Sequence, residues 1–405
     1  MGSVSLSTSL PGGLIAMEKS ILLLSTADWD NPFWTNKQRM AVLFAEHGYR
    51  VVYVDSLGLR KPSLHSGDIK RIINRMLKAI PVLRKVRDNI WRISLFVIPF
   101  HSISFIRRLN KYILLLTIKW NFFLLGIKNP IVISYTPIAS DICSDLKKSA
   151  VIYHCVDDLG ASPGIDETVI REAEKKLAGI TDLCFVTSKK LLAMLSSVFK
   201  HVEYDPNVCD LSLFQSARAQ RTEPEDLRAI PHPRLIFVGA LSQYKVDFSM
   251  IRQVAEKLPH VHWILIGAVG EGQPGTQRPP EGYNIHLLGP RPYEALPSYL
   301  GYCDIAVLPA TRNNYTAAMF PMKFFEYLAS GLPVVSTRLP ALEDFEDLYF
   351  PADSAEEFAL HIEQVLAGKR KDAEAIEAAC RYHTWEARFA RMEKRIREVV
   401  ADKQS

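Results

Sequence analysis

Paired cysteines are missing from this 405-residue chain. Its six cysteines (Cys143, Cys155, Cys184, Cys209, Cys303 and Cys380) are scattered, with no C-x-x-C spacing. That excludes a zinc or disulfide framework and implies reduced thiols. The first sixteen residues, MGSVSLSTSLPGGLIA, lack basic residues and a long apolar core, so they do not read as a signal peptide. Leu6 stands where N-myristoylation needs Ser or Thr. Residues 1–17 are therefore expected to form a disordered leader. The Gly-rich run GAVGEG (267–272) lacks the Gly-Lys-Ser/Thr ending of a phosphate loop, which gives ATP use no support. No apolar run reaches the roughly 20 residues of a membrane span. The longest, Tyr112 to Gly126, is interrupted by Lys119. No internal repeat points to a solenoid.

What is present is alternation of buried strands with helix-like segments. SILLLST (20–26), a polar-aromatic loop, a helical stretch closed at Gly48 and RVVYVDS open a doubly wound domain. IVISYT (131–136), VIYHCVDD (151–158) and DLCFVTS (182–188) continue it. The polar, Pro-containing stretch at 218–233 reads as a linker. A second series follows with LIFVGAL, HWILIGAVGEG, NIHLLGPRPY, DIAVLPA and PVVST. The expected fold class is α/β, with two doubly wound Rossmann-like domains facing across a cleft. The expected boundaries are 18–217, 218–233 and 234–378, with a cationic amphipathic helix in 379–405.

The most informative stretch is Phe320–Thr337, FPMKFFEYLASGLPVVST. It reads as a helix entered through Pro321 and closed near Gly331, then a buried strand. Lys323 stands in the first turn, where its charge opposes the helix dipole and a bound phosphate would relieve the conflict. Glu326 shares that helical face. A cation at the mouth with a carboxylate one turn deeper suits a nucleoside diphosphate, whereas an ordinary surface ion pair would show the same spacing.

These residues resemble the donor-binding region of GT-B glycosyltransferases of the group 1 superfamily. Glu326 matches the second, ribose-binding Glu of that family's Glu pair, but Ala318 stands where the first Glu would be. With PMK ahead of the Glu position, the chain looks closer to the bacterial exopolysaccharide branch. That branch includes the xanthan-assembly glucuronosyltransferase and teichuronic-acid-type transferases. The resemblance is strongest from Arg234 to Thr337. It implies that Met322 and Lys323 hold the donor diphosphate and that an N-domain Asp acts as base. We carry that base to Asp157, with Asp158 second, although both carboxylates could instead cap the next turn. Val156 replaces the His that often precedes this Asp, and an inverting transfer is expected. The resemblance also implies that the C-terminal helix packs back toward the first domain, and that Arg291 contacts base or phosphate.

By position, Tyr315 and Thr316 fall near the donor sugar. Gly239 lets backbone approach the phosphates. Lys245 either adds charge there or is exposed. Asp28, Trp34 and Lys37 fall on the acceptor side. The triplet DWD (28–30) formally matches a metal-binding D-x-D, but it follows the first strand, so no metal and no cofactor are expected.

Charge is unevenly spread. Between Arg60 and Lys128 there are fifteen Lys and Arg against Asp68 and Asp88, a local net of +13 in a chain of +5. Ile69, Ile72, Ile73, Met76, Leu77 and Ile80 recur at helical spacing opposite Lys70, Arg71, Arg75 and Lys78. Segment 60–128 is accordingly expected to face an anionic membrane at the inner leaflet. Nucleic acid is not expected, because no aromatic-interleaved motif accompanies the charge. The expected partners are a nucleotide-sugar donor, a lipid-linked or glycan acceptor and that membrane. Two other readings stay open: a nucleotide-sugar 2-epimerase of the same fold, and a non-catalytic binder of nucleotide sugar or lipid.

Overall fold

Strands that are apolar on both faces belong in a parallel sheet covered by helices on each side. The computed structural model describes residues 19–31, 34–56, 83–94, 104–220, 222–270 and 277–404. The leader and the Ile69–Ile80 stretch lie outside the described residues. The first sheet holds β1 (Ser20–Leu24), β2 (Arg50–Val54), β3 (Leu83–Arg87), β4 (Ile90–Ile93), β5 (Ile131–Ser134), β6 (Ala150–Cys155), β7 (Leu183–Val186) and β8 (Val202–Tyr204). Their order is β3-β4-β2-β1-β5-β6-β7-β8. Only the β3–β4 pair is antiparallel, closing at Asp88–Asn89 with Asn89 at φ 58°.

The second sheet holds β9 (Arg234–Val238), β10 (His262–Ile266), β11 (Ile285–Leu287), β12 (Ile305–Leu308), β13 (Val334–Thr337) and β14 (Phe350–Ala352). It runs β11-β10-β9-β12-β13-β14, with every pair parallel. In both sheets the strand order reverses beside the first strand of its domain, β1 or β9. Such a reversal opens a crevice at the carboxyl ends of the strands.

The helices that position the site are α1 (Asn36–Glu46), α2 (Ser104–Leu125), α3 (Lys323–Ala329), α4 (Ala373–Tyr382) and α5 (Trp385–Asp402). Helix α5 turns Trp385, Phe389, Met392, Ile396 and Val400 into the core beneath the first sheet, against Phe44 and Tyr49. Its i, i+4, i+7 spacing makes a single apolar stripe.

Three expected boundaries move. Cys209, Phe214 and Ala217 pack in the second domain's core, so the first domain ends soon after Tyr204. The stretch expected as a linker is no solvated tether. Leu227 and Ile230 are buried in that same core, and Glu223 pairs with Arg234. A boundary at 378 would cut α4, whose Cys380 also belongs to the second core, so the return to the first domain begins at Trp385. In each case apolar residues inside a polar stretch override its composition.

Candidate active site

Carboxyl ends of strands from both sheets converge on one cavity of about 430 Å³. Val156 and Asp157 follow β6, Gly239 and Ala240 follow β9, Gly267 and Ala268 follow β10, and Leu308 to Ala310 end β12. The first domain adds Trp34, Asn36, Lys37 and Asn207.

The β9 and β10 turns touch. Gly239 N–H donates to the Ile266 carbonyl at 2.9 Å, and Leu241 N–H donates to Ala268 at 2.9 Å. Gly267 sits at φ +153°, and a Cβ there would lie 1.8 Å from the Gly239 carbonyl oxygen, so no side chain fits. The Tyr244–Lys245 loop is pinned to the loop after β12. Asn313 Nδ2 donates to Tyr244 O at 2.6 Å, and Thr311 N–H donates to Lys245 O at 3.0 Å. That brings Lys245 over the Tyr244 and Tyr315 rings, at 5.3 and 5.5 Å. Lys245 therefore lines the cavity half-buried.

Helix α3 is entered at Met322, which holds the N-cap position. Pro321 thus lies one residue outside the helix, and the entry expected there shifts by that much. Phe324, Phe325, Tyr327 and Leu328 are buried, and Val238 N–H donates to Tyr327 Oη at 2.7 Å. This ties the helix to the end of β9. On the side lining the cavity Lys323 Nζ donates to Glu326 Oε2 at 2.6 Å, and Glu326 is 2% exposed. The conflict between Lys323 and the helix dipole is thus relieved inside the helix, by Glu326. Tyr293 Oη donates to the other oxygen, Glu326 Oε1, at 3.0 Å. Burial, with Glu326 beside it, pushes the Tyr293 phenol well above its usual range. Its ring also lies under both Lys323 (5.1 Å) and Arg39 of α1 (4.8 Å), so it bridges the domains.

Across the cavity, Lys37 is 7% exposed and sits over the Tyr135 ring at 5.7 Å. Burial lowers its pKa from the ordinary 10.5, Asp157 pulls it back up, and Lys245 pushes it down further. Lys37, Asp157 and Lys245 therefore share one electrostatic environment although they come from two domains.

Of the sequence-derived candidates, the fold brings Asp157, Gly239, Arg291, Tyr315, Met322, Lys323, Glu326, Trp34 and Lys37 to this cavity. Three lie elsewhere. Asp158 is buried, takes Arg171 Nη2 on both oxygens at 2.8 Å and accepts from Gly160 N–H. Asp158 caps the turn that follows β6, and its carboxylate is committed to that ion pair. Thr316 is buried in a capping box with Asn313. Asp28 is half-buried outside the cavity, in a turn where its carbonyl accepts from Gln38 and Asn31. Arg291 lines the cavity, but its guanidinium pairs with Asp226 and donates to Tyr299 Oη at 2.7 Å. Asp30 of the DWD triplet pairs with Arg92, and no acidic, His or Cys cluster able to hold a metal occurs among the described residues.

Sequence reasoning missed Tyr293, Asn36 and Asn207. Asn207 Nδ2 donates to the Phe320 carbonyl at 2.8 Å, just ahead of α3, and accepts from Asn36 Nδ2 at 3.1 Å. Arg388 of α5, fully buried, holds Asn36 Oδ1 at 2.5 Å and His154 Nε2 at 3.0 Å. A polar chain thus runs from the C-terminal helix, under the first domain, to the loop ahead of α3. No local motif marks it, because its members are more than a hundred residues apart.

Residues 232–368 match the family model described as "Glycosyl transferases group 1". A curated relative, "Putative teichuronic acid biosynthesis glycosyltransferase TuaH" of Bacillus subtilis (strain 168), is 29% identical over 213 residues. The match covers 49% of this chain and 53% of that protein, so about half of the relative's length is spanned. Among solved structures, sucrose-phosphate synthase (tll1590) from Thermosynechococcus elongatus superposes with a TM-score of 0.69 at 18% identity, covering 95% of this chain and all of that one. Anabaena Alr3699/HepE in complex with UDP and glucose gives 0.62 at 14% identity, over 94% of this chain and 99% of that one. At such identities the likeness speaks to architecture alone. The chain has the GT-B fold, and residues 232–368 of its second domain are similar to group 1 glycosyl transferases.

Proposed function

We propose that this chain is a glycosyltransferase that moves a sugar from a nucleotide diphosphate sugar to a glycan or lipid-linked acceptor, in exopolysaccharide or other cell-surface polymer synthesis at the inner membrane face. One observation carries the reading: Asp157 and Lys37 of the first domain line the same cavity as Lys245, Lys323 and Glu326 of the second. Three lysines against two carboxylates leave an excess of positive charge that suits a diphosphate. The name of the B. subtilis relative and the UDP bound to the Anabaena neighbour support such a donor, with UDP-sugars the first to try.

In the reaction the acceptor hydroxyl gives its proton to Asp157 as its oxygen bonds to the anomeric carbon. The bond from that carbon to the diphosphate oxygen breaks, and the electron pair leaves with the nucleoside diphosphate. Lys323 and Lys245 oppose the charge that develops there. Inversion is favoured by what occupies position 318. Ala318 is buried, its carbonyl accepts from Ser188 Oγ at 2.7 Å, and no carboxylate replaces the family's first Glu.

The test is incubation with UDP-, GDP- and dTDP-sugars and polyprenyl-linked acceptors, with EDTA present. We expect glycosylated acceptor and free nucleoside diphosphate. Lys323→Ala should erase the donor's thermal shift. Asp157→Asn should keep that shift while losing about 10²-fold or more in turnover. An epimerised sugar with no transfer would replace this reading with a 2-epimerase, and binding without any product would leave only a ligand-binding role.

A further inference from the structure

Helix α2 has two apolar sides. Leu114, Leu115, Ile118 and Phe122 pack into the core above the first sheet, against Leu24, Val54 and Ile93. The opposite side carries a stripe of large apolar side chains in the open: Phe105 (71% exposed), Tyr112 (62%), Leu116 (69%), Trp120 (62%) and Phe123 (76%), with Leu109 between them. Their spacing follows the helical repeat, so they form one continuous face about 30 Å long. Monomeric proteins rarely leave so large an apolar face to water.

We infer that this face of α2 inserts into an anionic lipid bilayer and seats the cleft at the membrane surface. Charge selects the occupant. Helix α2 carries four Lys and Arg and no acidic residue; Lys111 pairs with Asp145, while Arg108, Lys119 and, just past the helix, Lys128 are exposed beside the stripe. Cations flanking an apolar stripe match negatively charged headgroups, whereas a protein partner would have to bring its own acids. Tyr112 and Trp120 join an apolar ring to a polar tip, the combination enriched at headgroup depth. Length and composition fit a helix lying in the surface, since no described helix is long and apolar enough to cross a bilayer.

Orientation gives the insertion a use. Arg50, which opens β2, donates to the Leu125 carbonyl at 2.7 Å, so the C-terminal end of α2 lies at the strand starts. Helix α2 links β4 to the parallel strand β5 and therefore runs against the strands. Its Phe105 end rises to the level of the strand ends, where the cleft opens. A lipid-linked acceptor held in the same bilayer would meet the cleft without leaving its leaflet. This inference rests on the acceptor class proposed above.

The test is flotation of the full chain with vesicles of phosphatidylcholine alone or with phosphatidylglycerol added, beside the double variant Trp120→Glu, Phe123→Glu. The wild-type chain should float with the anionic vesicles, and the variant should lose about tenfold or more of that partitioning. Both proteins should keep the same donor-induced thermal shift, which shows the variant folded. Wild-type protein that stays at the bottom of the gradient would overturn the inference, as would a variant that floats equally well. So would a dimer of the wild-type chain, seen by light scattering, that the variant dissolves with flotation unchanged. If no donor shifts either protein while flotation behaves as expected, the membrane face stands and the transfer reading is what fails.

Discussion

At the scale of single residues, the cavity depends on charges held where water would otherwise be preferred. Lys37 shows the cost most directly. Burial outweighs the attraction of Asp157, so its ammonium is less stable in the fold than in the unfolded chain. With the folded pKa below the unfolded one, the unfolded state binds more protons in between, and stability rises with pH through that window. Below both values the penalty is present in full. Lys37→Met should therefore raise the melting temperature of the ligand-free protein at neutral pH, by about 1 kcal/mol of stability. It should also shrink the thermal shift produced by UDP, because a cation facing the diphosphate is gone. A variant that melts lower and binds UDP as before would contradict this account of the site.

At the scale of elements, α3 is the piece that both domains grip. Its Phe325 stacks on His383, with centroids 4.3 Å apart and planes 18° from parallel. His383 follows α4, and its carbonyl accepts from Cys209 N–H at 3.0 Å. Burial, with Arg391 nearby, lowers the His383 pKa from 6.5 to about 4. Between those two values the unfolded chain takes up a proton that the fold refuses, so stability falls as pH drops from about 6.5 toward 4 and levels off below. Urea midpoints at pH 7 and pH 4.5 measure this. His383→Phe keeps the stack and removes the proton site, so its midpoint should drop less than the wild type's over that interval. An equal drop in both proteins would place the acid sensitivity elsewhere.

At the scale of the whole molecule, the two sheets are joined by α5 and by the polar chain beneath the cleft. Arg388 is its hub. It is fully buried, it pairs with Asp205 at 3.3 Å, and it donates to Asn36 and contacts His154. Removing Arg388 strips Asn36 and His154 of a buried partner and leaves Asp205 with Arg391 alone, which costs about 3 kcal/mol. Arg388→Leu should lose that much in urea denaturation. It should also weaken donor binding, because Asn36 would no longer fix Asn207 and the Phe320 carbonyl ahead of α3. A loss under about 1 kcal/mol, with binding intact, would mean that the chain is ornamental to the assembly.

Much of this was legible in local sequence. SILLLST, RVVYVDS, LIFVGAL and PVVST announce parallel strands because each is apolar on both faces, and Gly48 and Gly331 close helices with φ +83°. Lys323 and Glu326 could be placed on one face from their spacing alone, since a helix fixes where residues three apart must point. The hairpin β3–β4 stayed hidden because β3 is an edge strand, where charge replaces alternation, and a buried Arg92 interrupts the apolar run of β4. Which of Asp157 and Asp158 faces the cleft, the bridging of Tyr293, and the run from Arg388 through Asn36 to Asn207 depended on folding. Each is a contact between segments far apart in the chain, and periodicity carries no information about such a pair. The sequence by itself determined the strands, the helices and the chemistry available at their ends; only packing decided which of those groups meet, because a partner across a cleft is chosen by geometry and not by neighbours along the chain.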